Sequence, residues 1–81
     1  MENRVALLSI IVESPNAVHT LNEILHEYSA YIIGRMGLPY REKRINIISI
    51  ALDAPQEVTS ALSGKIGMID DITVKTVYSK V

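Results

Sequence analysis

His19, Glu23 and His26 come nearest to a metal-binding pattern in this chain. On a helix, residues three and four apart are neighbours, so imidazole and carboxylate at these spacings can share an ion. The two histidines, however, stand two turns apart, about 10.5 Å along a helix axis. Structural zinc sites usually take four ligands. The spacing therefore points to a solvated helix face, with these three as weak metal candidates that a second chain would have to complete. No cofactor is expected.

Other chemistry finds less support, and an enzyme is not expected. The chain has no cysteine, and Ser9 and Ser49 sit inside strand-like runs without a nearby base. Asp70 and Asp71 adjoin at a strand entry, where they shape a turn rather than form an acid–base pair. "LSGKIG" lacks the glycine spacing and flanking strand of a phosphate loop. Four tyrosines and no phenylalanine or tryptophan do not make the aromatic pattern of a base-stacking sheet.

The other polar candidate is the segment "GRMGLPYREKRIN", residues 34–46, which carries Arg35, Arg41, Lys43 and Arg44 against the single acid Glu42. Read as a loop over 37–44, it is longer than a tight hairpin turn. Its basic side chains serve either to keep an edge strand from pairing or to contact an anion or partner, with Tyr40 assisting. Arginine is well shaped for carboxylate or phosphate. Three charges alone give weak, salt-sensitive DNA affinity. Direct DNA contact is thus the alternative function, requiring an oligomer that gathers several such loops.

The elements that must position these residues repeat. "LLSIIVESP" (7–15) overlies "IISIALDAP" (47–55) at an offset of forty positions, with Ser9 on Ser49, Ile10 on Ile50 and Pro15 on Pro55. Such a repeat is one supersecondary unit used twice. β-Branched runs over 5–12 and 45–52 read as strands, each ended by an acid and a proline. Ser14 is expected to cap one helix and Asp53 the other. Val18, Leu21, Leu25 and Tyr28 share a helical face, flanked by Ala17 and Ile24. Val58, Ala61, Leu62 and Ile66 do the same in the second helix, with Gly67 as its stop. Further strands are expected over 31–36 and 71–78, the latter alternating.

The order β-α-β, β-α-β makes one ferredoxin-like domain over residues 1–81, with pseudo-repeats 5–36 and 45–78. Its fold class is α+β (βαββαβ), two helices lying on one face of a four-stranded antiparallel sheet. Both parities of the first and third strands are apolar, the mark of strands buried on both sides. With Leu8, Ile10, Val12, Ile48, Ile50 and Leu52 against the helices, the bare face carries Val5, Leu7, Ser9 and Ile11. Ile45, Ile47, Ser49 and Ala51 join them, and Tyr31, Arg35, Thr73 and Lys75 are expected at the rim. Such a patch marks an interaction surface. With 48% hydrophobic residues and a net charge of −1, little repulsion opposes self-association. A homo-oligomer, dimer or tetramer, is expected through Val5, Leu7, Ser9, Ile11, Ile45, Ile47 and Ser49. The apolar run 5–12 is too short to span a bilayer and has no cleavage site, so a cytoplasmic location is expected.

"VESPNAVHTLNEILHEY", "IIGRMGLPYRE", "INIISIALDA" and "ALSGKIGMIDDITVKT" together resemble the small ACT-like proteins named as iron-only hydrogenase system regulators. The resemblance spans nearly the whole chain. It implies an ACT-like fold and a bacterial regulator, with a small-molecule effector as a further partner. More distantly, the chain is similar to the regulatory domain of nickel-responsive repressors. Those bind nickel through histidines and a cysteine, a set this chain lacks. In amino-acid-binding ACT domains, glycine usually follows the proline that opens the first helix. Asn16 stands there, and joins Arg35, Tyr40, Arg41, Lys43 and Arg44 as a candidate ligand or partner contact.

Overall fold

The computed structural model describes residues 2–80. Strand β1 (Asn3–Val12) leads into helix α1 (Pro15–Glu27), a 3-10 turn (Ser29–Tyr31) and β2 (Ile32–Tyr40). A second 3-10 turn (Arg41–Lys43) opens the other half, β3 (Ile45–Pro55), α2 (Gln56–Gly67) and β4 (Ile72–Tyr78). The sheet order is β2-β3-β1-β4, antiparallel throughout, so the expected ferredoxin-like arrangement holds.

The register shows how the duplication is built. Ser9 lies opposite its own repeat partner Ser49, with Leu8 opposite Ile50 and Ile10 opposite Ile48. A local two-fold axis therefore passes between the two serines. It also relates the sheet edges: Val12 opposite Ile72 on one side corresponds to Leu52 opposite Ile32 on the other. The symmetry then breaks, because a register shift between Ile32 and Gly34 leaves Ile33 as an extra residue in β2. Such a bulge moves every later side chain to the opposite face.

One face of the sheet is closed by the helices. Leu8, Ile10, Val12, Ile48, Ile50 and Leu52 are buried against them, joined by Leu21 and Leu25 of α1 and Leu62 and Ile66 of α2. Each such side chain contributes about 1.5–3 kcal/mol relative to exposure. The helix faces differ slightly from the expected stripes. Ala17, Leu21 and Leu25 are the buried line of α1, with Val18, Ile24 and Tyr28 at its margin. In α2 the line is Thr59, Leu62 and Ile66, while Ala61 is exposed. The Thr59 hydroxyl is buried without a hydrogen-bond partner among the described residues, a cost of roughly 1–3 kcal/mol.

The helix ends follow local chemistry in one half only. Ser14 caps α1, its hydroxyl accepting from the Ala17 amide at 3.2 Å, worth about 1 kcal/mol. Asp53 does not cap α2. β3 runs on to Pro55 because Asp53, Ala54 and Pro55 pair with Val5, Arg4 and Asn3, and Pro55 itself stands at the cap position with no side-chain cap. Gly67 is the last helical residue, but it stops α2 without a left-handed conformation, since no glycine has positive φ. Asp71 takes that conformation instead (φ 66°), and its carbonyl accepts from the Glu13 amide at 2.8 Å. No helix among the described residues is long and apolar enough to cross a membrane.

Candidate functional site

The face away from the helices is built in cross-strand rows. Thr73, Ile11, Ile47 and Leu38 form one; Lys75, Ser9, Ser49 and Met36 form the next; Val77, Leu7, Ala51 and Gly34 form a third. Two apolar rows thus flank a more polar row through the local two-fold axis. Leu7, Ile11 and Ile47 are 40–42% exposed, while Leu38 (61%), Met36 (70%) and Val77 (59%) are more open still. Val5 is exposed near one end of this face, and Ile45 and Tyr40 pair at the other. Ile45, Ser49 and Ala51 are partly buried.

Three sequence expectations fail on or beside β2. The segment 37–44 is not one long loop. β2 continues to Tyr40, paired with β3 as far as Ile45, which leaves only Arg41–Arg44 as the connection. Pro39 lies within the strand, and an edge strand tolerates proline because one side of it needs no ladder partner. Arg35 is also not at the rim of the bare face. The bulge at Ile33 turns it to the helix side, opposite Ile50, while its repeat partner Lys75 stays on the bare face beside Ser9. Met36 and Leu38 enter that face in its place. Tyr31 is exposed in the 3-10 turn before β2, not in the strand.

The basic hairpin borders a cleft of about 550 Å³ between the β1–α1 turn and the β2–β3 connection. Arg41 and Arg44 line it together with Tyr40, Glu13, Pro15 and Pro39. Lys43 is exposed on the hairpin outside the cleft, and Asn16 lines a separate one with Thr20, Lys65 and Asp70. The structure therefore gathers Tyr40, Arg41 and Arg44 but sets Arg35, Lys43 and Asn16 apart. Glu42, the acid of the hairpin, accepts from the Tyr40 hydroxyl at 3.2 Å. Among the described residues, neither Arg41 nor Arg44 forms an ion pair. Glu13 and Pro15 were not singled out from the sequence as cleft residues. Only the folding of the hairpin against the start of α1 brings them there.

Arg44 is held in the left-handed region, φ 56° and ψ 38°. For a residue with a Cβ this costs about 1–2 kcal/mol, which glycine avoids at some entropic cost of its own. Arg44→Gly is therefore expected to raise stability by about 0.5–1 kcal/mol. Urea denaturation measures it, and a loss of stability instead would show that the arginine side chain holds the turn together.

On α1, His19 Nε2 lies 3.3 Å from Glu23 Oε1, with both side chains largely exposed. His26 borders the same shallow depression, but no group of three or more His, Cys, Asp or Glu side chains among the described residues is placed to hold a metal ion. Where the two helices meet, Lys65 lies over the Tyr28 ring at 5.1 Å and pairs with Glu27 at 3.9 Å. Tyr28 foremost, and Glu27 to a lesser degree, hold its ammonium pKa above the ordinary lysine value.

Residues 4–76 match the model of the TM1266-like family, described as "Iron-only hydrogenase system regulator, putative". The chain belongs to this family. The TM1266 protein of Thermotoga maritima, itself described as uncharacterized, is 40% identical, with a TM-score of 0.94 over 98% of this chain and 100% of that one. A formyltetrahydrofolate deformylase from Pseudomonas putida shares the fold at 13% identity and a TM-score of 0.64, over 90% of this chain and 28% of that one. A divalent ion tolerance protein, CutA1 from Ehrlichia chaffeensis, does so at 18% identity and 0.53, over 100% and 85%. No curated protein matches the sequence. This family member thus carries a regulator's family name on a fold that it shares with proteins of other kinds.

Proposed function

We propose that this chain is a non-enzymatic, ACT-like regulatory module of an iron-only hydrogenase system. It acts in the bacterial cytoplasm as a homo-oligomer joined through the bare sheet face and responds to a small ligand. One observation carries the reading: two apolar rows, Leu7 with Val77 and Ile11 with Ile47 and Leu38, lie exposed together with Met36 on the side the helices leave open. Exposed apolar patches on small proteins mark contact surfaces. A stable contact buries roughly 800 Å² per partner, a size suited to one face of a four-stranded sheet.

The hairpin cations fit this reading better than DNA binding. Arg41, Lys43 and Arg44 belong to a chain of net charge −1, and three phosphate contacts supply little non-specific affinity. Light scattering at micromolar concentration tests the assembly. The expected mass is a multiple of the 9.0 kDa protomer; a monomer at that concentration would sink the reading.

A further inference from the structure

We infer that the cleft between the β2–β3 hairpin and the start of α1 is a binding site for a small organic monoanion, a carboxylate with an apolar body. The inference rests on the ligand-responsive half of the function proposed above and gives it a place and a chemical class.

Three observations converge on it. Arg41 and Arg44 both line the cleft, and among the described residues neither has an ion-pair partner. The acid between them, Glu42, is engaged by the Tyr40 hydroxyl at 3.2 Å. Guanidinium groups left unpaired beside a concave surface suit a carboxylate, which accepts from both nitrogens of the fork. The remaining walls are largely apolar, with Pro15, Pro39 and Ile45 presenting hydrocarbon and Asn46 one neutral polar side chain. The volume, about 550 Å³, falls within the usual range for small-molecule sites. Finally, Arg44 keeps an unfavourable left-handed backbone where glycine would be easier. Strain retained at one residue is understandable when its side chain is needed.

Charge selects the class. Arg41 and Arg44 contribute two positive charges and Glu13 one negative charge, leaving a net of plus one at the cleft. A monoanion balances that sum. A dianionic phosphate would face Glu13 with an excess charge and would leave the apolar walls uncovered.

Benzoate is a suitable probe, with benzamide as its neutral counterpart and inorganic phosphate as the purely ionic one. Titrated into ¹⁵N-labelled protein up to millimolar concentration, benzoate is expected to shift the amides of Glu13, Ser14 and residues 40–46, and benzamide is not. Arg41→Gln and Arg44→Gln are each expected to weaken benzoate about tenfold, the loss of one charge-assisted hydrogen bond. Lys43→Gln, outside the cleft, should leave the affinity within about twofold. Equal binding of benzamide, tighter binding of phosphate, or wild-type affinity in both arginine variants would overturn the site. Absence of benzoate binding would also remove it. Light scattering on the same samples keeps the two proposals apart, since the protein's mass reports on assembly whether or not benzoate binds.

Discussion

If the proposed homo-oligomer is joined through the bare sheet face, Ile47→Glu is expected to turn it into folded monomers. Ile47 sits in the third strand between Ile11 and Leu38, on the face the helices do not cover. In the isolated protomer it is 42% exposed, so a carboxylate there reaches water and the fold tolerates it. In a sheet-to-sheet contact the same carboxylate would be desolvated without a partner. Burying such a charge unpaired typically costs about 3–5 kcal/mol. A two-fold contact carries the substitution twice. The dissociation constant should therefore rise by at least about a hundredfold, at roughly 1.4 kcal/mol per factor of ten. Light scattering should fall to the protomer mass while circular dichroism stays unchanged. Arg44→Glu, on the hairpin, is expected to leave the mass as in wild type. If Ile47→Glu retained the wild-type mass, the bare sheet face would not be the contact.

Three residues along the same strand, the expected effect changes in kind. Ile50 points to the helices, is fully buried and lies opposite Leu8. Ile50→Ala removes three carbons from a closed core and should cost about 2–5 kcal/mol. Single domains are commonly stable by only about 5–15 kcal/mol, with small ones at the lower end, so a large share of the fold's stability goes with it. Ile47→Ala deletes the same atoms from a half-exposed position and should cost less than about 1 kcal/mol in the protomer. Urea denaturation of both variants at low protein concentration, where assembly contributes least, makes the comparison. Equal losses would mean that the helices do not distinguish the two faces as described.

These two positions also show how much was legible before folding. Both isoleucines lie in one apolar run, and the run alone says that both faces of the strand are apolar. The offset of forty positions, the prolines after the two strands and the Ser14 cap identified the elements and their order. From that order the helices had to share one side of the sheet. The candidate site was less legible. Arg35, Arg41, Lys43 and Arg44 stood out as a basic cluster with Tyr40 beside them, yet only Tyr40, Arg41 and Arg44 reach the cleft, and Glu13 and Pro15 lie far from them in sequence and carried no signal of their own. Asp53 read as a cap because it repeats the acid-then-proline pattern of the first half. In the structure, pairing with β1 takes it into the strand instead.

What the sequence determined by itself is therefore what depends on local chemistry and period: two β-α-β units, their antiparallel sheet and the apolar character of the uncovered face. Tertiary structure alone decided which side chains complete that face. The extra residue at Ile33 reverses the alternation of β2, turns Arg35 toward the helix side and brings Met36 and Leu38 to the bare one. Alternation has a period of two, so a single unpaired residue inverts every position after it. Gly34 beside Ile33 is a residue type that bulges favour, but a glycine alone does not place the extra residue; the pairing with β3 does. The same pairing carries β2 through Pro39 to Tyr40, narrows the connection to Arg41–Arg44 and seats two arginines against the start of α1.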